Sequence, residues 1–270
     1  MALVPFPSAT PGDDDDPEAF DDTGGKMSFL EHLDELRKRL IYVVYSLIAG
    51  CVVAYIFIGR IFDFIMKPMQ AMLPHDAAGS GKLMYTAGSE PFMLFIKIGF
   101  LAGIFIASPL ILWQVWKFIA PGLYSHEKRF AIPFVFLSTI FFVTGGLFAH
   151  YVAFPVTWQF FISFSTDYMV FMPKIDEAFS LYTKMLLGFG VIFEMPTLVF
   201  FLARMGVVTA GFLLKYFKYA FLGIFIVAAV ISPGTDMMSQ VVMAVPMLAL
   251  YIISIAIAFI FQKRRIPSTD

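Results

Sequence analysis

Charge is what this chain has least of. Asp, Glu, Lys and Arg make up 14% of 270 residues, against about 25% in a soluble domain. Hydrophobic residues reach 59% and the mean hydropathy is +0.80, which excludes a soluble globular class and implies a polytopic membrane protein. Cysteine is nearly missing too. The lone Cys51 rules out an internal disulfide and any cysteine-built metal or iron–sulfur site; it falls in an apolar run and reads as packing. No Gly-x-x-x-x-Gly-Lys-Ser/Thr loop is present, which argues against ATP hydrolysis by this chain, and no Gly-x-Ser-x-Gly elbow offers a nucleophile. His126-Glu127 begins like His-Glu-x-x-His, but Phe130 stands where the second histidine belongs. His32, His126 and His150 form no ligand pattern. The sequence therefore predicts no metal, no cofactor and no enzyme, and nothing in it suggests nucleic acid as a partner.

What charge there is lies segregated. Asp13 to Asp16, Glu18, Asp21, Asp22, Glu31, Asp34 and Glu35 are ten of the 20 acids, and all precede the first apolar run. Residues 1–26 also carry Pro5, Pro7, Pro11, Pro17 and Gly24-Gly25, too little apolar surface to fold alone, so they read as a disordered acidic tail. The tail is neither basic-then-apolar like a cleaved signal peptide nor poor in acids like a transit peptide.

Apolar runs bracket at 38–59, 95–118, 131–152, 178–203, 216–232 and 237–261. About 20 such residues cross a bilayer core of about 30 Å. The prediction is an all-α membrane protein: six spans over a domain of 27–262, with residues 263–270 a short tail. An even count puts both termini on one side, and Lys/Arg bias chooses it. With both ends cytoplasmic, thirteen of the 19 basic residues lie inside against six outside, in accord with the positive-inside rule. Ile61 to Met72 is apolar enough to lie along the interface. The segment 153–177, with Phe154, Trp158, Phe160, Phe161, Phe164, Tyr168 and Phe171, reads as an interfacial aromatic belt. The fifth span is short: from Tyr219 to Ile231 there are 13 residues, roughly 20 Å of helix, which calls for snorkelling flanks or local thinning.

Three stretches stand out for chemistry. Ser28 to Leu40 forms a charged helix, with a capping box at Ser28 and Glu31 and a favourable i,i+4 pair at Glu35 and Arg39. A loop reads Phe118-Ile119-Ala120-Pro121-Gly122-Leu123-Tyr124-Ser125-His126-Glu127-Lys128-Arg129, with a turn at Pro121-Gly122. Glu194 sits mid-span in Phe193-Glu194-Met195-Pro196, where an ionisable group is costly and usually faces a cavity or a partner; the blander reading is a protonated Glu bonded to a neighbouring helix. Asp236, in a short turn, reads by itself as a cap for the last span. Gly145-Gly146 permits close helix packing.

Together these stretches resemble the TatC family, the core subunits of the twin-arginine protein translocase. The match rests on His32-Leu33-x-Glu35-Leu36-Arg37-Lys38-Arg39, the Phe118 to Arg129 loop, Phe193-Glu194-Met195-Pro196, and Asp236-x-x-Ser239-Gln240 followed by Pro246; it runs from about residue 28 to 262. The acidic tail is outside the family pattern, and Gly234-Thr235 departs from the usual Pro-Pro before Asp236. The resemblance implies a receptor for twin-arginine signal peptides and the core of a translocase that exports folded proteins, driven by the proton gradient, in the bacterial cytoplasmic (inner) membrane. It implies that Glu35 and Glu127 grip the two guanidiniums, with Arg37 and Arg129 competing for the acids and Phe118 and Pro121 shaping the loop. It further implies that Glu194 faces a concave membrane-embedded groove, that Asp236 belongs to an outer turn, and that the single-span subunits TatB and TatA dock around the short fifth span in an oligomer. A secondary transporter for a small solute is the alternative, weakened by the lack of a visible duplication.

Overall fold

A computed structural model describes residues 29–73, 83–119, 131–166, 168–169, 171–232 and 237–261. The predicted tails, Pro121, Glu127, Arg129 and Asp236 lie outside these residues. In chain order the helices are α1 (Phe29–Ile56), α2 (Ile58–Ala71), α3 (Glu90–Ile119), α4 (Ala131–Phe148), α5 (Phe154–Ile162), α6 (Ile175–Arg204), α7 (Ala210–Lys215), α8 (Phe217–Ile231) and α9 (Met237–Phe261). A π-helical turn, Ala149–Ala153, joins α4 to α5 without a break. Among the described residues there is no strand, only two isolated bridges. Five stretches are long and apolar enough to cross a membrane: Leu30–Ile56, Glu90–Phe118, Ile132–Ile162, Ile175–Arg204 and Ser239–Phe261. The sixth apolar helix, α8, has 15 residues.

Small residues decide how the helices meet, because lipid offers no hydrophobic drive and close van der Waals contact must hold them. Helix α1 packs chiefly on α3. A Cβ at Gly50 would fall 2.5 Å from the Gly103 carbonyl oxygen, and one at Gly103 would fall 2.5 Å from Cys51 Sγ. Helices α4 and α6 meet in the same way: a Cβ on Gly145 would collide with the Phe189 carbonyl. Helix α6 is the central post, touching α4, α9, α3 and α8 and burying Tyr182, Met185 and Phe189 completely. It ends in a Schellman motif. Gly206 takes φ of 77°, Gly206 N–H bonds Ala203 O at 3.0 Å and Val207 N–H bonds Leu202 O at 3.0 Å, the 5→2 and 6→1 pattern. Thr209 Oγ1 then caps α7 by accepting from Phe212 N–H at 3.2 Å.

Part of the aromatic segment after residue 152, expected as a belt, packs in the core instead. The third long helix runs on through the π turn to Ile162, and Phe154 and Trp158 are buried against α6 and against each other, ring centroids 5.0 Å apart. Aromatics suit both a headgroup layer and a packed core, and here a core was within reach. Tyr168, 97% exposed, does lie at the surface. Likewise α2 does not simply skim an interface: Ile65, Met66 and Met69 are buried against the bundle.

The first turns of α3 and α6 are clasped together. Ile175 N–H donates to Met84 O at 2.9 Å and Met84 N–H to Pro173 O at 3.3 Å, and Lys97 pairs with Asp176. The Glu90 carboxylate holds the turn before α3, accepting from Ala87 N–H at 3.1 Å and Thr86 Oγ1 at 3.0 Å.

Candidate peptide-binding face and intramembrane carboxylate

The first turns of α1 lie beside the last turns of α3. Glu35 and Arg39 form the i,i+4 pair that the spacing predicted, Arg39 Nε donating to Glu35 Oε1 at 2.6 Å. Arg39 also reaches across to α3, where Nη1 donates to Gln114 Oε1 at 3.4 Å. Both charged side chains are 20% exposed. One turn earlier, the His32 ring stacks on Phe118, centroids 4.6 Å apart and 24° between planes. Phe118 thus ties the end of α3 to the first turns of α1. Arg37 and Lys38 stand exposed, so the cation on Glu35 is Arg39 rather than Arg37.

Electrostatically this is a carboxylate already in its charge-assisted, hydrogen-bonded state. A guanidinium fork matches a carboxylate in shape and charge. An incoming arginine can therefore replace Arg39 on Glu35 without any change in the chemistry of the contact.

Glu194 is the second focus. It lies ten residues before the end of α6, about 15 Å along the helix axis, and is half-buried. The buried Ser138 on α4 lies near its carboxyl, while Oε1 is buried with no partner. One turn on, Thr197 Oγ1 is buried and unpartnered as well, next to Pro196 inside the helix. Polar atoms left open at membrane depth cost several kcal/mol in hydrocarbon, so this stretch is held ready for a polar contact or water.

The structure stacks Phe118 on His32, one turn before Glu35 on α1, and puts Glu194 elsewhere in the bundle, on α6. It also contains two polar pairs that sequence reading missed. His150, in the π turn, bonds Tyr182 Oη through Nδ1 at 2.8 Å, and both are buried. Lys97–Asp176 joins α3 to α6. Both link residues far apart in sequence, which local periodicity cannot reveal; a histidine inside an apolar run was the one available signal for the first.

Comparison with known proteins gives a consistent answer. The family described as "TatC: Sec-independent protein translocase protein (TatC)" matches residues 31–246. A Sec-independent protein translocase protein TatC from Koribacter versatilis is 44% identical over 238 residues, covering 88% of this chain and 87% of the relative. One from Desulforapulum autotrophicum is 42% identical over 241 residues, covering 89% and 87%. The crystal structure of the twin-arginine translocase receptor TatC superposes with a TM-score of 0.73 at 36% identity, covering 84% of this chain and 98% of that one. Helices long enough to span, packed through glycines, and this similarity over nearly the full length lead to one conclusion: the chain belongs to the TatC family of Sec-independent protein translocase proteins, as a multi-pass inner-membrane component.

Proposed function

We propose that this chain is the receptor for twin-arginine signal peptides and the core of the translocase that carries their folded passengers across the membrane on the proton gradient. One observation carries the reading. The half-buried Glu35–Arg39 pair is tied by the His32–Phe118 stack to the end of α3. Glu127 is tethered nine residues beyond Phe118 and four before Ala131, a reach of about 30 Å at most. In the proposed complex Glu35 and Glu127 each take one guanidinium. Arg39 yields Glu35 on binding, Arg37 and Arg129 tune the field, and Pro121 with Phe118 sets the shape of the loop. The chain acts by binding and conducting rather than by chemical conversion.

In the proposed topology the five long helices and α8, a short fifth span, make six spans with both termini cytoplasmic. On this reading the acidic stretch 1–26 is a cytoplasmic extension, Asp236 lies in the outer turn between α8 and α9, and Glu194 faces a concave groove that receives peptide or partner helix. The single-span TatB and TatA subunits dock around α8, whose face carries exposed Leu222, Ile226 and Val230. A small-solute transporter finds no supporting observation.

Capture by the full-length protein of a labelled peptide with an Arg-Arg pair tests the proposal. Glu35→Gln or Glu127→Gln is expected to weaken it at least about tenfold, the value of one charge-assisted hydrogen bond, with membrane insertion intact. Unchanged capture in both variants would overturn the assignment.

A further inference from the structure

Two cavities adjoin on α6 near its clasp with α3, one between α3 and α6 and the other between α6 and α5, and together they have the form of an amphiphile. One, of about 400 Å³, is an apolar slot. Its walls are two helical faces at matching spacing, Ile96, Phe100 and Ile104 on α3 opposite Phe179, Thr183 and Leu187 on α6. The other, of about 640 Å³, is more polar and is bounded by Asp176 and Glu177. Ser180 and Lys184 line both, so the slot and the polar chamber adjoin at Lys184.

Three features say what fits. The rim carries charges of both signs: Lys97 paired with Asp176, and beside them Glu177 and Lys184. No ion pair involves Lys184 among the described residues. It stands nine residues into α6, about 13 Å from the helix start, a depth at which a lysine reaches for a phosphate or for water. Finally, Thr183 Oγ1 in the slot wall is buried with no hydrogen-bond partner, the kind of open group that an ester carbonyl satisfies.

We propose that this slot binds one glycerophospholipid whose headgroup carries both a phosphate and a primary ammonium. The acyl chain lies between α3 and α6, Thr183 donates to the glycerol ester, Lys184 and Lys97 take the phosphate, and Asp176 with Glu177 accept from the ammonium. The balanced rim disfavours a purely anionic headgroup, and the need for N–H donors disfavours a quaternary ammonium. The lipid would hold the two helices at their clasp, away from the Glu35 face.

The test uses the full chain purified in detergent, stripped of lipid, and exposed to phosphatidylethanolamine, phosphatidylglycerol or phosphatidylcholine, with retained lipid counted by native mass spectrometry. About one phosphatidylethanolamine per chain is expected to survive detergent exchange, with the other two retained about tenfold less, and Lys184→Gln should lower retention about tenfold. The near-isosteric Thr183→Val, which leaves every charge in place, should lower it by a smaller factor; both variants are checked for an unchanged elution volume, and if Lys184→Gln alters it, Thr183→Val decides. Equal retention of all three lipids, or retention indifferent to the deciding substitution, would overturn the proposal.

Discussion

Replacing Gly103 with alanine probes the contact that holds α1 on α3. The new Cβ would lie 2.5 Å from Cys51 Sγ, 2.9 Å from Cys51 N and 3.0 Å from Cys51 Cα. The sulfur can swing aside; the backbone atoms cannot. Ordinary contact starts near 3.4 Å, so the helices must part by roughly half an ångström, and overpacking of this kind costs about 1–3 kcal/mol. Alanine in place of glycine also favours the helix by up to about 1 kcal/mol, so a matched control is needed. Gly59→Ala serves, because nothing lies within 4 Å of its Cβ position. The Gly103 variant should fall below the control by that overpacking cost, roughly 2–4 °C per kcal/mol for a chain of this size. The assay is the fraction of purified protein still monodisperse after heating. Adding Cys51→Ala removes the sulfur and should recover only part of the loss. Equal stability of the Gly103 and Gly59 variants would refute the reasoning, as would full recovery in the double variant, which would make the contact a matter of side chains alone.

Tyr182→Phe should destabilise by about 1–3 kcal/mol, the cost of leaving a buried polar partner unsatisfied. His150 Nδ1 then has nothing to bond in the core, and thermal unfolding of His150→Leu with and without the Tyr182 change should show coupling. Arg39→Gln should cost about 1–3 kcal/mol, since the Glu35 carboxylate is only one-fifth exposed and loses its charged partner. Peptide capture by that variant is expected to hold or improve, because Glu35 is released; its abolition would mean that Arg39 itself contacts peptide.

Much of this was legible in sequence because helical spans announce themselves by length and composition. The runs at 95–118 and 178–203 became α3 and α6 with about one turn added at the start and one residue at the end, and the Glu35–Arg39 pair followed from its i,i+4 spacing. What stayed hidden depended on tertiary neighbours. Phe154 and Trp158 looked like a headgroup belt because an aromatic residue does not say whether its apolar surroundings are lipid or protein. The π turn that carries α4 into α5 has no sequence signature, and it aims His150 at a tyrosine 32 residues away. Which arginine holds Glu35 was also a matter of helix face: position 39 shares Glu35's stripe and reaches Gln114, whereas position 37 points to solvent.

The receptor reading turns on whether two carboxylates share a pair of arginines. A double-mutant cycle on peptide affinity measures this directly, with Glu35→Gln, Glu127→Gln and both, against peptides bearing Arg-Arg and Lys-Lys. Affinity for Arg-Arg should fall about tenfold or more in each single variant, the two losses should couple, and the Arg-Arg preference should vanish in the double variant. Additive losses that leave the Arg-Arg preference intact would contradict the account, for the guanidiniums would then be held somewhere else.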